Sequence, residues 1–144
     1  MKFWDSSALV PLMVAQPTSR SLQTIASRDP EMFVWWAAEV ECTSALCRLR
    51  RENVLGPEGA EFSFGKLRQF ADRWDEIEPS EIIRETANRF LRVHPLRAAD
   101  SLQLAAAFVA ADGRPSSLEV VTLDDRLAEA ARKEGFTIIE VQAA

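Results

Sequence analysis

Short strands that lead through a polar turn into a helix occur at both ends of the chain. Near the start, Lys2–Trp4 is typical of a strand and is broken by Asp5–Ser7, after which apolar residues recur at helical spacing. Near the end, the run Leu118–Leu123 is typical of a strand and is followed by a helical pattern over Asp124–Glu134. Strands that alternate with helices predict a parallel sheet covered by helices, and ligands in such folds bind beyond the carboxyl ends of the strands. Polar residues directly after the strands are therefore the first candidates for chemistry.

The rest of the chain adds further strands and helices to this frame. At 144 residues with 47% hydrophobic residues, the chain is long and apolar enough to bury one core, so we expect a single domain over residues 1–144. The predicted fold class is α/β with a central parallel sheet. The additional predicted elements are strands at Phe33–Trp36 and Thr137–Val141 and helices at Val40–Arg51, Glu58–Ile77, Glu81–Val93 and Arg97–Ala111.

The residues available for catalysis are mainly carboxylates. One histidine, His94, and two cysteines, Cys42 and Cys47, are too few for a Cys/His zinc site, and the spacing of the cysteines in a predicted helix does not suit a disulfide. The net charge of −5 comes from 17 basic and 22 acidic residues, so nucleic acid would have to be bound locally or through metal ions. No apolar run is long enough to span a membrane and no secretion signal opens the chain, so we expect a cytoplasmic protein without membrane contact.

Two acids follow the terminal strands, and each has a structural alternative. Asp5 precedes a predicted helix, where capping the helix is a common role, although the serines after it can cap equally well. Ser7 is then free to hydrogen-bond a neighbouring carboxylate. Asp124 and Asp125 begin another predicted helix, so one of them can cap it while the other binds a ligand. Thr122 lies on the same side of its strand as Asp124 and can orient that carboxylate.

Two further candidate acids lie within predicted helices. Asp100 falls on the helix stripe that should face the core, where an unpaired carboxylate is costly, so it needs a cation or a partner such as Arg97. Glu39 and Glu41 both lie at the margins of an apolar helical stripe, and periodicity does not choose between them. For a glutamate in a first helical turn, a favourable interaction with the helix dipole is the more common role.

Four segments carry these acids in a specific order. They are DSSALV at Asp5–Val10, Glu41 with SAL at Ser44–Leu46, LRAADSLQLAAA at Leu96–Ala107, and TLD at Thr122–Asp124. Together they resemble the PIN domain, specifically the VapC toxins of bacterial VapBC toxin–antitoxin pairs. The resemblance runs from residue 2 to about residue 139, and the segment around Asp100 is its most specific part.

This resemblance implies a three-layer α/β/α fold and a ribonuclease that cleaves phosphodiester bonds with Mg²⁺ or Mn²⁺. It also implies a homodimer and a separate antitoxin chain of the VapB type that holds the toxin inactive. The implied catalytic and metal-binding set is Asp5, Glu41, Asp100 and Asp124, with Ser7 and Thr122 beside the acids and Glu39 as the alternative to Glu41.

Elementary electrostatics agrees with a cation at such a cluster. Four gathered carboxylates repel each other, and a hard divalent cation with oxygen ligands neutralises them. The cation would also activate water and stabilise the charge that builds up on the phosphate, so that an acidic protein can still bind RNA. Several arginines, Arg48, Arg50, Arg51 and Arg97, can contact RNA or antitoxin or pair with nearby acids, and ion pairs are the favoured interpretation.

Two other functions remain open from the sequence. A receiver-like signalling domain would also bind Mg²⁺ in an acidic pocket, but it needs a lysine near that pocket. The lysines are Lys2, Lys66 and Lys133, and none follows the end of a predicted strand. A PIN-like domain that binds without catalysis is the second alternative, and the presence of all four acids argues against it.

Overall fold

Five short strands, all parallel, form the centre of the computed structural model, which describes residues 1–144. The strands are β1 (Lys2–Trp4), β2 (Met32–Trp35), β3 (Asp75–Ile77), β4 (Glu119–Val121) and β5 (Thr137–Ile138). They pair in the order β3-β2-β1-β4-β5, so β1 is the central strand. The register places Trp4 beside Val121 and Trp35 beside Ile77, which brings the carboxyl ends of the strands to one edge of the sheet.

Seven α-helices cover the two faces of this sheet. They are α1 (Ser6–Leu9), α2 (Ser19–Arg28), α3 (Ala38–Arg51), α4 (Pro57–Ala71), α5 (Glu81–Val93), α6 (Ala98–Ala110) and α7 (Asp125–Glu134). Helices α1–α4 pack on one face and α5–α7 on the other, so the predicted α/β fold with a central parallel sheet is confirmed as a three-layer arrangement. None of these helices combines the length and the apolar character that crossing a membrane requires.

The sheet separates two apolar cores because successive residues of a strand point to opposite faces. Phe3 faces the layer of α5–α7, where it belongs to the same core as Phe90. The next residue, Trp4, is fully buried on the other face, in the core that contains Leu46 of α3. Burial on both faces explains why the strands read as short runs of apolar residues rather than as alternating patterns.

Two elements differ from the sequence prediction. The predicted helix Glu58–Ile77 ends at Ala71, and its last residues instead form β3 beside β2. Asp75 and Glu76 gave this edge strand the charge pattern of a helix surface. Helix α2 was not predicted, because its apolar stripe is short: only Ser19 and Leu22 of its ten residues are buried, with Ile25 and Ala26 partly buried beside them.

Local sequence signals set several helix ends correctly. The hydroxyl of Ser80 accepts a hydrogen bond from the backbone N–H of Ile83 at 3.3 Å, which begins α5 at the predicted residue. Gly135 ends α7 in the left-handed conformation, with φ of 104°, where other residues are strained. The predicted boundaries Glu81–Val93 are confirmed, and the prediction for α7 is correct to within one residue.

Phe90 is expected to be a main contributor to stability. Its ring is fully buried and meets the Phe108 ring edge-on, with the centroids 6.0 Å apart. The substitution Phe90→Ala should lower the free energy of unfolding by about 3–5 kcal/mol, measured by urea denaturation. The matched control is Phe62→Ala, which removes a ring that is 65% exposed and should change stability by no more than about 0.5 kcal/mol. Equal losses in both variants would contradict the assigned core.

Candidate metal centre

The candidate site lies at the switch point of the sheet, between β1 and β4, where the connections leave the sheet on opposite faces. From the end of β1 the chain continues into α1 on one face, and from the end of the neighbouring β4 it continues into α7 on the opposite face. This divergence opens a crevice at the carboxyl ends of the two strands, which is the usual ligand position in open parallel sheets. Asp5 directly follows β1, and Thr122 and Asp124 follow β4.

Asp5 is a buried carboxylate held by two hydroxyl groups. Its side chain is 4% exposed, and its Oδ2 accepts hydrogen bonds from Ser7 Oγ at 2.5 Å and from Thr122 Oγ1 at 2.8 Å. Its Oδ1 has only a long contact, 3.5 Å from Ser6 Oγ. Asp5 occupies the N-cap position of α1, but its side chain caps no backbone N–H, so capping is the wrong interpretation. One carboxylate oxygen is therefore fixed by the protein and the other remains available.

The two hydroxyl groups that hold Asp5 also join β1 to the segment after β4. Ser7 Oγ accepts from the backbone N–H of Leu123 at 2.9 Å, and Thr122 Oγ1 accepts from the N–H of Asp124 at 3.0 Å. Each hydroxyl thus accepts from a backbone N–H and donates to Asp5. The sequence prediction that Thr122 orients the Asp124 carboxylate is wrong, because its hydroxyl donates to Asp5 instead.

Asp124 caps helix α7 with one of its oxygens. Its Oδ1 accepts a hydrogen bond from the backbone N–H of Leu127 at 3.0 Å, which confirms that one acid of the Asp124–Asp125 pair is the cap. No hydrogen bond occupies Oδ2. Asp125 is exposed beside it. Asp124 can therefore cap the helix with one oxygen and bind a ligand with the other. From the sequence, these two roles were expected on different residues, Asp124 and Asp125.

Glu41 is half-buried on α3, whereas Glu39 is exposed on the same helix. Glu41 Oε1 accepts a hydrogen bond from Nε2 of Gln103, at 2.5 Å, which joins α3 to α6 across the edge of the sheet. Gln103 is buried, and its own Oε1 has no hydrogen-bond partner. Leaving a buried carbonyl unpaired costs about 1–3 kcal/mol. Sequence reasoning missed Gln103, although a lone amide three residues after Asp100 in an Ala-rich helix was a usable signal.

Asp100 lies in the first turn of α6 and is half-buried. It forms no ion pair with Arg97, which is exposed, so the simple salt bridge considered from the sequence is not present. Asp100, Asp124 and Arg97 line one open cleft of about 430 Å³. Asp100 therefore contributes its carboxylate to the same side of the crevice as Asp124.

The four acids influence each other electrostatically. Burial raises the pKa of Asp5, and the charges of Asp124 and Asp100 raise it further, while the hydrogen bonds from its two hydroxyl partners oppose the shift. Burial raises the pKa of Glu41 to about 7, and the charges of Asp5 and Asp100 add to the shift, while hydrogen bonding from Gln103 and Ser6 opposes it. Burial and the charge of Asp124 raise the pKa of Asp100. The structure thus brings all four sequence-predicted acids into one cluster of mutually repelling charges.

The donor chemistry of this cluster suits a hard divalent cation. Carboxylate oxygens are the ligands that Mg²⁺ prefers, and the protein leaves one oxygen of Asp5, Glu41 and Asp124 without a strong hydrogen bond. No three acidic, histidine or cysteine side chains lie together in a group that could hold a metal ion by themselves. Mg²⁺ usually keeps several waters and binds only one or two carboxylates directly, so the fit rests on the chemistry of the oxygen donors.

The other titratable candidates do not belong to this chemistry. Burial, with the charge of Glu41, raises the pKa of the Cys42 thiol to about 12, so Cys42 is not a nucleophile at neutral pH. Both cysteines are free, as the sequence predicted. The buried His94 is bound through Nε2 to Glu134 at 2.6 Å, and it contacts none of the four acids.

Exposed arginines flank the acids on two sides. Arg48 lines a second cleft of about 380 Å³ together with Ser6, Ser44 and Glu41, while Arg97 lines the cleft beside Asp100. Arg51 is exposed near the end of α3. None of these arginines, nor Arg50, forms an ion pair, so the direct ion pairs favoured from the sequence are not present. Arg97 acts on Asp100 without a direct pair, since its charge opposes the rise in the pKa of that acid.

Comparison with known proteins identifies the fold. No protein-family model matches the sequence, and no curated protein matches it significantly. A toxin–antitoxin complex from Klebsiella pneumoniae contains a chain that is 15% identical, with a TM-score of 0.66 and 97% of both chains covered. FitAcB from Neisseria gonorrhoeae is 17% identical, with a TM-score of 0.67 and the same coverage. PAE2754 from Pyrobaculum aerophilum is 16% identical, with a TM-score of 0.64, covering 95% of this chain and 87% of that one.

These similarities extend over nearly the whole chain, and at such low identity they establish the fold alone. The PIN-like α/β/α architecture expected from the sequence resemblance is thereby confirmed.

The raised pKa of Glu41 gives a testable pH dependence. Folding raises it from 4.5 to about 7, so the folded protein binds the proton more tightly than the unfolded chain. The resulting stabilisation is complete below pH 4.5 and is lost as the pH rises toward 7. Without divalent cations, the free energy of unfolding should therefore fall between pH 5 and pH 7.5, and it should fall less in Glu41→Gln. Denaturant titrations at several pH values measure both slopes.

The matched control for this experiment is Glu39→Gln, which removes an exposed carboxylate from the same helix. It should keep the wild-type slope. A Glu41→Gln variant with the full wild-type slope would show that Glu41 is not the group that takes up the proton.

Proposed function

We propose that this chain is the toxin of a type II toxin–antitoxin pair, of the VapC type, and that it is a Mg²⁺- or Mn²⁺-dependent endoribonuclease. The observation that carries the proposal is the convergence of Asp5, Glu41, Asp100 and Asp124 at the carboxyl edge of the sheet. Clustered carboxylates with raised pKa values are characteristic of functional sites rather than of stabilising surface charge. The sequence resemblance and the matching folds support the same assignment.

The chain's own residues prepare the site before any cation or substrate binds. Ser7 and Thr122 fix Asp5, Gln103 fixes Glu41, and the α7 backbone fixes Asp124. Each anchor uses one oxygen, so the carboxylates keep an orientation and still offer a ligand atom. When bound, a divalent cation would relieve the mutual repulsion of the acids and stabilise the negative charge that develops on the phosphate during cleavage.

RNA would reach the acids through two clefts, each of which places an exposed arginine beside a candidate acid. Arg48 lies in one cleft and Arg97 in the other, and neither is neutralised by an ion pair. Guanidinium groups bind phosphates well and carry no sequence information. Local basic groups beside an acidic centre explain how a chain with a net charge of −5 can bind a polyanion.

The proposed partners are a VapB-like antitoxin and a second copy of the chain. A cleft of about 520 Å³ past the end of β2 is lined by Trp35, Trp36 and Leu102, and Trp36 is 51% exposed. An exposed tryptophan beside other apolar side chains is typical of a protein-binding surface. A toxin with this proposed function would act in the cytoplasm, because its RNA substrate and its antitoxin are both made there.

A receiver-like function is disfavoured by the position of the lysines. Lys2 binds Asp29 and Glu119 at the amino-terminal edge of the sheet, opposite the acids. Lys133 pairs with Glu129 along α7, and Lys66 lies over the Phe62 ring on α4. No lysine therefore reaches the acidic cluster, as a phosphate-accepting pocket would require.

Cleavage of total bacterial RNA by the purified, antitoxin-free protein tests the proposed activity. With Mn²⁺ we expect discrete fragments, and with EDTA we expect none. The substitution Asp5→Asn should slow cleavage by about 100-fold, because it removes a charge at the centre of the cluster. The matched control is Asp72→Asn, an exposed acid at the end of α4, which should cleave like the wild type. Cleavage that survives Asp5→Asn would indicate a contaminating nuclease.

Thermal unfolding tests cation binding without a substrate. Mn²⁺ or Mg²⁺ at about 100 times Kd should raise the Tm of the wild type by about 5 °C or more. The rise should be smaller in Asp100→Asn and unchanged in Asp72→Asn. An equal rise in Asp100→Asn and wild type would remove Asp100 from the ligand set. A folded protein that binds the cation but leaves RNA intact would favour a PIN-like domain without catalysis.

A further inference from the structure

Gln103 is a buried amide for which core packing gives no reason. It is 1% exposed on α6, whose other buried residues are Ser101, Leu104 and three alanines. Its Nε2 donates to Glu41 Oε1, while its Oε1 has no partner. A methionine or leucine would occupy similar space without an unpaired carbonyl. The hydrogen bond that the amide N–H donates to Glu41 must therefore compensate for the unpaired oxygen.

The amide determines which oxygen of Glu41 is free. An ionised carboxylate only accepts hydrogen bonds, so it requires the N–H side of the amide, and the carbonyl is then turned away. This orientation is the one observed. With Oε1 held by Gln103, Oε2 is the oxygen that Glu41 can offer in the open cleft that it lines with Ser6 and Arg48, where the Ser6 hydroxyl also acts on the carboxylate.

The number of oxygens that a carboxylate offers influences which cation binds. Ca²⁺ accepts six to eight ligands and readily takes both oxygens of one carboxylate, whereas Mg²⁺ requires a compact octahedron and takes one. We propose that Gln103 is a positioning residue that makes Glu41 a one-oxygen ligand and thereby favours Mg²⁺ or Mn²⁺ over Ca²⁺. This inference rests on the cation site of the proposed function. Asp100 lies on the same helix three residues earlier, so α6 supplies one ligand and controls another.

Separate calorimetric titrations of the full chain with Mg²⁺, Mn²⁺ and Ca²⁺ test the inference. In Gln103→Met the affinity for Mg²⁺ should fall about 10-fold, because Glu41 loses its anchor. The affinity for Ca²⁺ should stay the same or rise, so the ratio of Mg²⁺ to Ca²⁺ affinity should fall about 10-fold or more. The matched control is Leu104→Val, a buried change on the same helix, which should keep the wild-type ratio.

Thermal unfolding in EDTA separates positioning from a structural link between α3 and α6. Gln103→Met should melt close to the wild-type temperature, because removal of the unpaired carbonyl and loss of the hydrogen bond to Glu41 have opposite effects of similar size. A lower Tm with an unchanged cation ratio would assign Gln103 to folding and overturn the inference. If Gln103→Met does not fold, Gln103→Leu is tested in its place. Failure of both variants to fold would also assign Gln103 to folding and overturn the inference.

The remaining outcomes distinguish this inference from the proposed function. If the wild type binds Mg²⁺ and cleaves RNA but Gln103→Met keeps the wild-type cation ratio, only the role of Gln103 is overturned. If the wild type binds none of the three cations, the proposed cation site and the role of Gln103 fall together.

Discussion

A carboxylate buried at the end of the central strand is the constraint around which this protein is arranged. Asp5 is 4% exposed and lies in a cluster with three other acids, so its charged form is disfavoured by burial and by repulsion. Two hydroxyl groups, from Ser7 and Thr122, compensate in part by donating to one of its oxygens. The same hydroxyls accept backbone N–H groups after β4, so the bonds that hold the carboxylate also hold the two strand ends together.

Sheet topology explains why the acids meet although they are distant in sequence. Asp5 and Asp124 follow the neighbouring strands β1 and β4. The chain leaves these two strands toward opposite faces of the sheet, and this divergence creates the crevice between the two acids. Glu41 and Asp100 enter from the first parts of α3 and α6, one from each helical layer. The site is thus a property of the fold as a whole, and no single element contains it.

The alternating fold was predictable because its signals are local, whereas the set of four acids came from the family resemblance, since periodicity did not choose between Glu39 and Glu41. Helix α5 has a serine cap and a clear apolar stripe, and its boundaries were predicted correctly. Strand β3 was missed because a charged edge strand has little apolar pattern, and α2 because it buries so few residues. The roles of Thr122 and Gln103 depend on partners 117 and 62 residues away, so a local pattern can mark Gln103 as an unusual amide but cannot identify the partner of either residue.

Glu41 and Asp100 lie on helices that cover opposite faces of the sheet, so the site depends on the packing of both cores. Their separation depends on how α3 and α6 are seated on the sheet, so a small displacement of either helix changes it. Side chains deep in either core can then set the strength of the proposed activity without touching the acids. Attenuated forms of such a protein can arise at many interior positions, and their defects would be graded rather than complete. Selection for a weaker form of the proposed activity could therefore act on many interior residues in addition to the four acids.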